Sequence, residues 1–558
     1  MQRPWLVIAA ISSVLYAIVR GSVAYLFAQS ILFVPLPGAH DRTLYHEAAI
    51  AVANGQLWPE TAFAFLPLYP WLLGLAYMVF GTSLLIPLVL GMLMDWSTLM
   101  LIILVARRLG APPWSTLIVA VLFICYPVAV VYAPLTMPNS LNMLLVTGWT
   151  WWAVRMNPVK GRDWLILGGS AGVIALGFAG ALLLMLVVGT VIAWSQRQEK
   201  KAWFGWAMAW LAFAIPLAPV SWHNTRAEGA FVLLTTHGGF NFYMGNHERA
   251  TGHPVRVRDF RMTAQAMLAD AHAAAEAAKG RSLSGAESSS WWMQQGRDFW
   301  RTEPWSAIAL TGRKIMLFWH WRDVDDMRMA EQLRIVEPRL HWLIWPGFAL
   351  IAIGGVVGLI SLRGGGIPGV VVLTGMVSLV MFFITARYRL TFVPLMLALA
   401  AAGTVQWPVW WKRRSWRAWA PLPLILLILW PLDLRDLRPF DYHNVAVQVL
   451  AEGQAAWGLH LVEQGLEIDP QSLELHHARG HALALMERHE EAAESFAFVL
   501  QRNPRNASAA FNLGLVLARA GQFCEALEAL AFGLQHTPND ARLNQLYGDL
   551  SPWCDARD

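Results

Sequence analysis

The sequence predicts an all-α protein in two parts: a polytopic bundle of about eleven membrane-spanning helices, then a soluble solenoid of helix pairs. Three observations carry this. The 558 residues are 56% hydrophobic and only 14% charged, with a mean hydropathy of +0.43 and 30 tryptophans. Soluble domains carry about a quarter charged residues. Apolar segments follow one another as far as residue 432, separated by short basic clusters, and beyond residue 433 a repeat of fixed period begins.

The first apolar stretch, 5–34, exceeds the roughly 20 residues needed to cross a bilayer. Arg20 within it argues against a cleaved signal peptide. A polar interruption follows at 35–70, with a helix expected from near Thr43. Residues 68–80 are apolar but too short to cross, and read as an interfacial or re-entrant helix. Spans are expected near 83–106, 114–134, 141–154, 164–177, 181–194 and 203–221. Arg3 and the basic clusters at 107–108, 155–162 and 197–201 fall on one side if these spans alternate, which makes that side cytoplasmic.

Loops 35–70 and 223–337 then face outward. The second holds THGGFNFYMGNHERATG, an Ala-rich amphipathic helix over 263–279, and a segment at 298–321 rich in Trp, Arg and Lys that suits an interface. Four more spans near 340–362, 367–385, 391–410 and 419–432 leave the C-terminus outside, with ARYR (386–389) outward and the cluster 412–417 inward. Arg20 and Asp95 lie at similar depths in the first two long spans. A charge at the bilayer centre costs about 2.5–3.5 kcal/mol, so an ion pair between them is expected. The alternative turns Arg20 toward a donor phosphate in a wet cavity.

In the tail, Pro470, Pro504 and Pro538 are 34 residues apart. Leu466, Leu500 and Leu534 keep the same step, as do Ala446, Gly480 and Gly514, and Gly458, Ala492 and Ala526. Small residues at helix crossings and a proline at each repeat end are the pattern of tetratricopeptide helix pairs. They are placed at 437–470, 471–504 and 505–538, with a cap over 539–550, so the domains expected are 1–432 and 433–558. Such a solenoid presents a concave surface to an acceptor or a partner protein, or covers the membrane domain.

Composition also excludes several classes. Three cysteines rule out a cysteine-rich zinc site or a disulfide scaffold, although Cys524 and Cys554 can pair if the repeats face an oxidising compartment. No HExxH, Walker or GxGxxG pattern occurs. The net charge of +5 is spread over short clusters between apolar segments, so no nucleic-acid partner is expected. His40, His46, His237 and His247 are scattered over two loops without ligand spacing. No cofactor or catalytic metal is expected, and a divalent cation stays open.

Asp41 is the residue best placed for chemistry. It follows the first span directly, at a boundary where a carboxylate stays solvated and reaches a lipid-linked substrate. The motifs HDRTLYHEAAIAVANG (40–55), PLYP (67–70), GGFNFYMGN (238–246), GRKIMLFW (312–319) and ARYRLTFVP (386–394) follow in order. Together they resemble the GT-C glycosyltransferases of the family 39 type, in particular bacterial relatives of the dolichyl-phosphate-mannose–protein mannosyltransferases and of the lipid A aminoarabinose transferases. The resemblance covers about residues 1–432.

It implies an inverting, multi-pass transferase of the bacterial inner membrane, surrounded by membrane lipids, with a cytoplasmic N-terminus. The active site and repeats are then periplasmic, the donor is a polyprenyl-phosphate sugar, and the catalytic aspartate lies in the first outward loop. Asp41 matches that aspartate and Tyr45 an aromatic one helical turn later; His40 and Tyr69 of the same stretch are expected at the substrate. Two positions depart from the pattern. Arg42 stands where many members have Glu, and GFAG (177–180) lacks the polar residue common near the outer end of the fifth span.

Asp41 would act as general base, a role typically worth about 10²–10⁴-fold. Arg387 and Arg389 are candidates for the donor phosphate, since guanidinium forks match phosphate oxygens, and Lys314 is a third. The ordinary reading of all three is anchoring at lipid head groups. Asn241, Tyr243 and Asn246 offer amide and phenol groups to sugar hydroxyls, or serve a loop folding back on itself. Two other classes compete: a polytopic lipid or glycolipid transporter, and a non-catalytic scaffold recruiting partners through its repeats.

Overall fold

A computed structural model of the chain describes residues 3–35, 41–254, 260, 264–345, 347–362, 364–432 and 438–555. These residues are helical with no strand among them, and they divide into two compact units. One comprises residues 1–29, 33–330 and 342–431; the other comprises 30–32, 331–341 and 432–558.

Among the described residues, four helices are long and apolar enough to cross a membrane: Arg3–Gln29, Leu85–Arg108, Lys200–Glu228 and Pro338–Ser361. The other expected spans are shorter or broken. Residues 114–134 form Pro113–Cys125 and Pro127–Tyr132, interrupted where Pro127 lacks an N–H to continue the ladder. Residues 391–410 form a 3₁₀ turn, Leu390–Phe392, then Val393–Gly403 and Trp407–Lys412. Ala181–Ser195 and Gly366–Val380 have 15 residues each, and Pro421–Ile428 has 8. Hydropathy marked apolar segments correctly; it did not mark where proline divides them. Leu68–Phe80 is a helix of 13 residues.

The long helices are apolar on the outside. Along Arg3–Gln29, Ser12, Tyr16 and Arg20 are buried while Leu6, Val7, Val14 and Ile18 are exposed. This is the reverse of a water-soluble helix and is how a helix faces lipid, with its ionisable group turned inward. Arg20 Nη1 lies 3.5 Å from Asp95 Oδ2, both side chains fully buried, and Arg20 Nη2 donates to the Phe123 carbonyl at 2.7 Å.

Helices Gly161–Ala175 and Lys200–Glu228 pack closely because Gly168 and Gly172 face the partner backbone. A Cβ at Gly168 would overlap the Ala209 carbonyl oxygen, and one at Gly172 that of Phe213. Small residues four apart let helices approach in this way. Val393–Gly403 is buried at every position, as a helix apolar all round must be. It packs on Gly347–Ser361, Leu85–Arg108 and Pro113–Cys125. Directly before it stand the short helix Ala386–Arg389 and the Leu390–Phe392 turn, so ARYR is held at the end of a fully buried helix.

The second unit is built from antiparallel pairs: Arg438–Ala451 with Ala455–Ile468, Leu473–Leu485 with His489–Arg502, and Ala507–Arg519 with Phe523–His536. Ala541–Asp555 follows as a cap. The period has a physical cause. Gly480 admits the Phe496 ring and Gly514 the Leu530 side chain, contacts that leave no room for a Cβ. Cys524 and Cys554 form a disulfide that ties the last pair to the cap. Two segments from far up the chain join this unit: Ile31, whose carbonyl accepts from Gln448 Nε2 at 3.1 Å, and Ile335 and Val336, which pack beside Val445, Val449 and Val462.

Candidate active site

Asp41 is the first residue of the helix Asp41–Ala53, where the helix dipole favours an acidic side chain. Thr385 is extended, and the chain turns at Ala386 into the four-residue helix that carries Arg387. A loop at 320–328 runs alongside, fixed by the Ala386 N–H donating to the Val324 carbonyl at 2.7 Å and by Thr385 Oγ1 donating to Asp326 Oδ1 at 2.6 Å.

Arg387 sits between two carboxylates. Its Nη1 donates to Asp41 Oδ2 at 2.6 Å and its Nη2 meets Asp326 Oδ2 at 2.7 Å. Asn139 Nδ2 donates to the Arg387 carbonyl at 2.9 Å. The Arg387 side chain is 9% exposed and that of Asp41 26% exposed, so the arginine is enclosed while the aspartate opens to solvent. Arg387 Nε is buried and without a hydrogen-bond partner. Tyr388 lies beside the guanidinium, 5.0 Å from ring centroid to Cζ.

Tyr45 follows Asp41 by one turn, and its ring centroid is 5.6 Å from those of both Phe65 and Tyr69. Burial raises the Tyr45 phenol well above its ordinary range, with Asp41 adding to the effect, so it stays a hydroxyl that donates and accepts. On the Arg387 side, Tyr132 donates to Asp325 Oδ1 at 2.7 Å. Asp41, Tyr45, Tyr69 and Arg387 therefore share one neighbourhood, whereas His40 lies outside the described residues.

Arg389 is committed elsewhere. Its Nη2 meets Asp323 Oδ1 at 2.5 Å, and its Nη1 donates to the carbonyls of Leu317, Phe318 and His320 at 3.1–3.2 Å. The side chain is 1% exposed and its Cζ lies 3.3 Å from the Phe348 ring centroid. Tyr126 donates to the same Asp323 oxygen at 2.6 Å. Burial pushes the Asp323 carboxyl up, and Arg389 and Tyr126 pull it down. Arg389 fastens a loop to the bundle; its Nε also lacks a partner, but the side chain is enclosed away from any outside phosphate.

Asn246 and Lys314 also move out of the substrate set. Asn246 is 1% exposed; its Nδ2 donates to the Phe242 and Met381 carbonyls, and its Oδ1 accepts from Lys314 Nζ and Trp300 Nε1, both at 3.1 Å. An amide with four partners has none left for a sugar. Lys314, 1% exposed, is lowered to about 8 by burial. Both belong to one closed polar cluster with Trp300. Tyr243 stacks on His247 at 5.0 Å and packs on Trp292 at 4.6 Å, and Asn241 lies in the same short helix, Gly238–Gly245.

Asp323 and Asp326 were absent from the residues expected from sequence. Their signal was the run DVDD (323–326) in a chain only 14% charged, together with two arginines in ARYR that needed counter-charges. Among the described residues no three His, Cys, Asp or Glu side chains are grouped to hold a metal ion.

A tetratricopeptide-repeat profile matches residues 483–550. Solved structures similar to the chain include a MamA RS-1 double mutant, 17% identical, covering 27% of this chain and 83% of that one with a TM-score of 0.21. A MamA MSR-1 structure is 18% identical, covering 26% and 82% with a TM-score of 0.19. No curated protein matches the sequence. The profile match makes the C-terminal part a tetratricopeptide-repeat domain, a fold that serves protein–protein contact, and it follows an all-helical part with apolar helices of membrane-crossing length.

Proposed function

We propose that residues 1–432 form a GT-C-type inverting glycosyltransferase that moves a sugar from a polyprenyl-phosphate donor to an acceptor outside the inner membrane. The observation that carries this is the Asp41–Arg387–Asp326 arrangement, a partly exposed carboxylate held by an enclosed arginine beside the 320–328 loop. In the reaction, the acceptor hydroxyl gives its proton to Asp41 as its oxygen bonds to the anomeric carbon. The bond from that carbon to phosphate oxygen breaks, and the polyprenyl phosphate leaves. Arg387 holds Oδ2 of Asp41 and so aims the other oxygen; its Nε–H is the donor left for a phosphate oxygen. Tyr45 and Tyr69 supply an aromatic wall for the sugar.

The crossing helices number about eleven on this reading, the shorter ones spanning a region thinned around the site. Placement of the repeats outside is supported by Ile31 and residues 331–341, which belong to the repeat unit and to the ends and loops read as outward. The Cys524–Cys554 disulfide suits an oxidising compartment. The repeats would dock the acceptor or a partner protein.

Mass spectrometry of envelope glycans and glycoproteins from cells with and without the protein tests the proposal. A sugar modification present only with the protein is expected; identical glycan profiles would overturn it.

A further inference from the structure

In the second unit, the helix Leu473–Leu485 carries His477 and His481 four residues apart, on one face. Their ring centroids are 5.3 Å apart. Both Nε2 atoms converge on one atom: Asn512 Nδ2, from the helix Ala507–Arg519, lies 3.3 Å from His477 Nε2 and 3.2 Å from His481 Nε2. An amide nitrogen donates and does not accept, so in this arrangement the two Nε2 atoms present lone pairs to that point. His477 is half-buried and His481 exposed, leaving one side open to solvent.

We propose that His477 and His481 are a two-imidazole binding site for a divalent transition metal such as Zn²⁺, with Asn512 as its third protein group. Histidines at i and i+4 of a helix are a spacing that chelates zinc. Two nitrogens that already converge on one amide need little movement to sit about 2.0–2.1 Å from a metal held between them and that amide. A half-turn of the Asn512 amide exchanges its NH₂ for Oδ1 and turns a donor into a ligand. A metal binds the neutral imidazole, so binding should weaken as pH falls. Glu474, one turn earlier on the same helix, adds negative charge nearby. The solvent side supplies the remaining positions, to water or to a ligand from a docked protein. The site is independent of the transferase proposal.

The test is metal content of the full chain purified in detergent, measured after dialysis against micromolar Zn²⁺ and then metal-free buffer. Wild type should keep close to one zinc per chain. The double variant His477→Gln, His481→Gln should lose it while keeping wild-type helicity, and Asn512→Ala should bind roughly tenfold more weakly. His476→Gln, whose ring stacks on Phe498 and whose Nε2 meets the Pro470 carbonyl, should bind as wild type does. A second readout needs no variant: zinc should protect His477 and His481 of wild type from diethylpyrocarbonate, mapped by mass spectrometry. Equal zinc content in wild type and the double variant, or no protection of these two histidines, would overturn the proposal.

Discussion

Arg387 and Arg389 stand two residues apart on one short helix, yet their surroundings give them different work. Arg389, its side chain 1% exposed, faces the half-buried Asp323 carboxylate and three carbonyls. Arg389→Gln should therefore destabilise the protein by roughly 3–5 kcal/mol, the usual cost of breaking a buried pair, and lower its melting temperature in detergent. Arg387→Gln should instead weaken donor binding more than it lowers the melting temperature, because Asp41, 26% exposed, reaches solvent. Equal donor affinity in wild type and Arg387→Gln would remove the phosphate role. Lys314 gives a pH prediction. Its folded pKa, about 8, lies below the ordinary 10.5, so between those values the unfolded chain binds more protons than the native one. Stability should then rise as pH rises from about 8 to 10.5, and Lys314→Met should flatten that rise. At this scale Asp41 stood out from its place after an apolar segment, Tyr45 from the family resemblance, and Arg387 from its guanidinium in a short polar break between apolar segments. Asp323 and Asp326 were not, because pairing across some sixty residues leaves no periodic trace.

Among the elements, the packing of Gly161–Ala175 on Lys200–Glu228 rests on glycines that tolerate no Cβ. Gly168→Ala should cost about 1–3 kcal/mol, the usual range for overpacking. Gly169→Ala should cost little, since its nearest neighbour across the interface is 3.9 Å away. Thermal unfolding of the two variants in the same detergent compares them, and equal melting temperatures would contradict the close approach. The repeats were the most legible elements, since glycines and alanines at fixed steps report the same crossing three times. The bundle was less so. Apolar content is the same in a continuous span and in one cut by Pro127 or by the Leu390–Phe392 turn, so hydropathy overstated the length of several helices.

For the whole molecule, the boundary near 432 was visible as a change from apolar runs to a repeat. That residues 30–32 and 331–341 join the repeat unit was not, because short segments carry no period of their own. Their membership makes a topological prediction. A reporter fused after Asp558 that works only in the periplasm should be active, and a cytoplasmic reporter silent; the reverse would put the repeats and the outward loops on opposite sides.

The central claim is that Asp41 takes a proton from the acceptor as the sugar is transferred. Asp41→Asn keeps the shape of the side chain and its place at the helix start, and it removes the basicity. The most direct measurement is envelope glycan mass spectrometry on cells lacking the chromosomal protein and making either wild type or Asp41→Asn at matched membrane levels. The wild-type protein should restore the sugar modification, and Asp41→Asn should leave it about 10²–10⁴-fold slower, the span a positioned base supplies. Restoration by Asp41→Asn to the wild-type extent and rate would contradict the account.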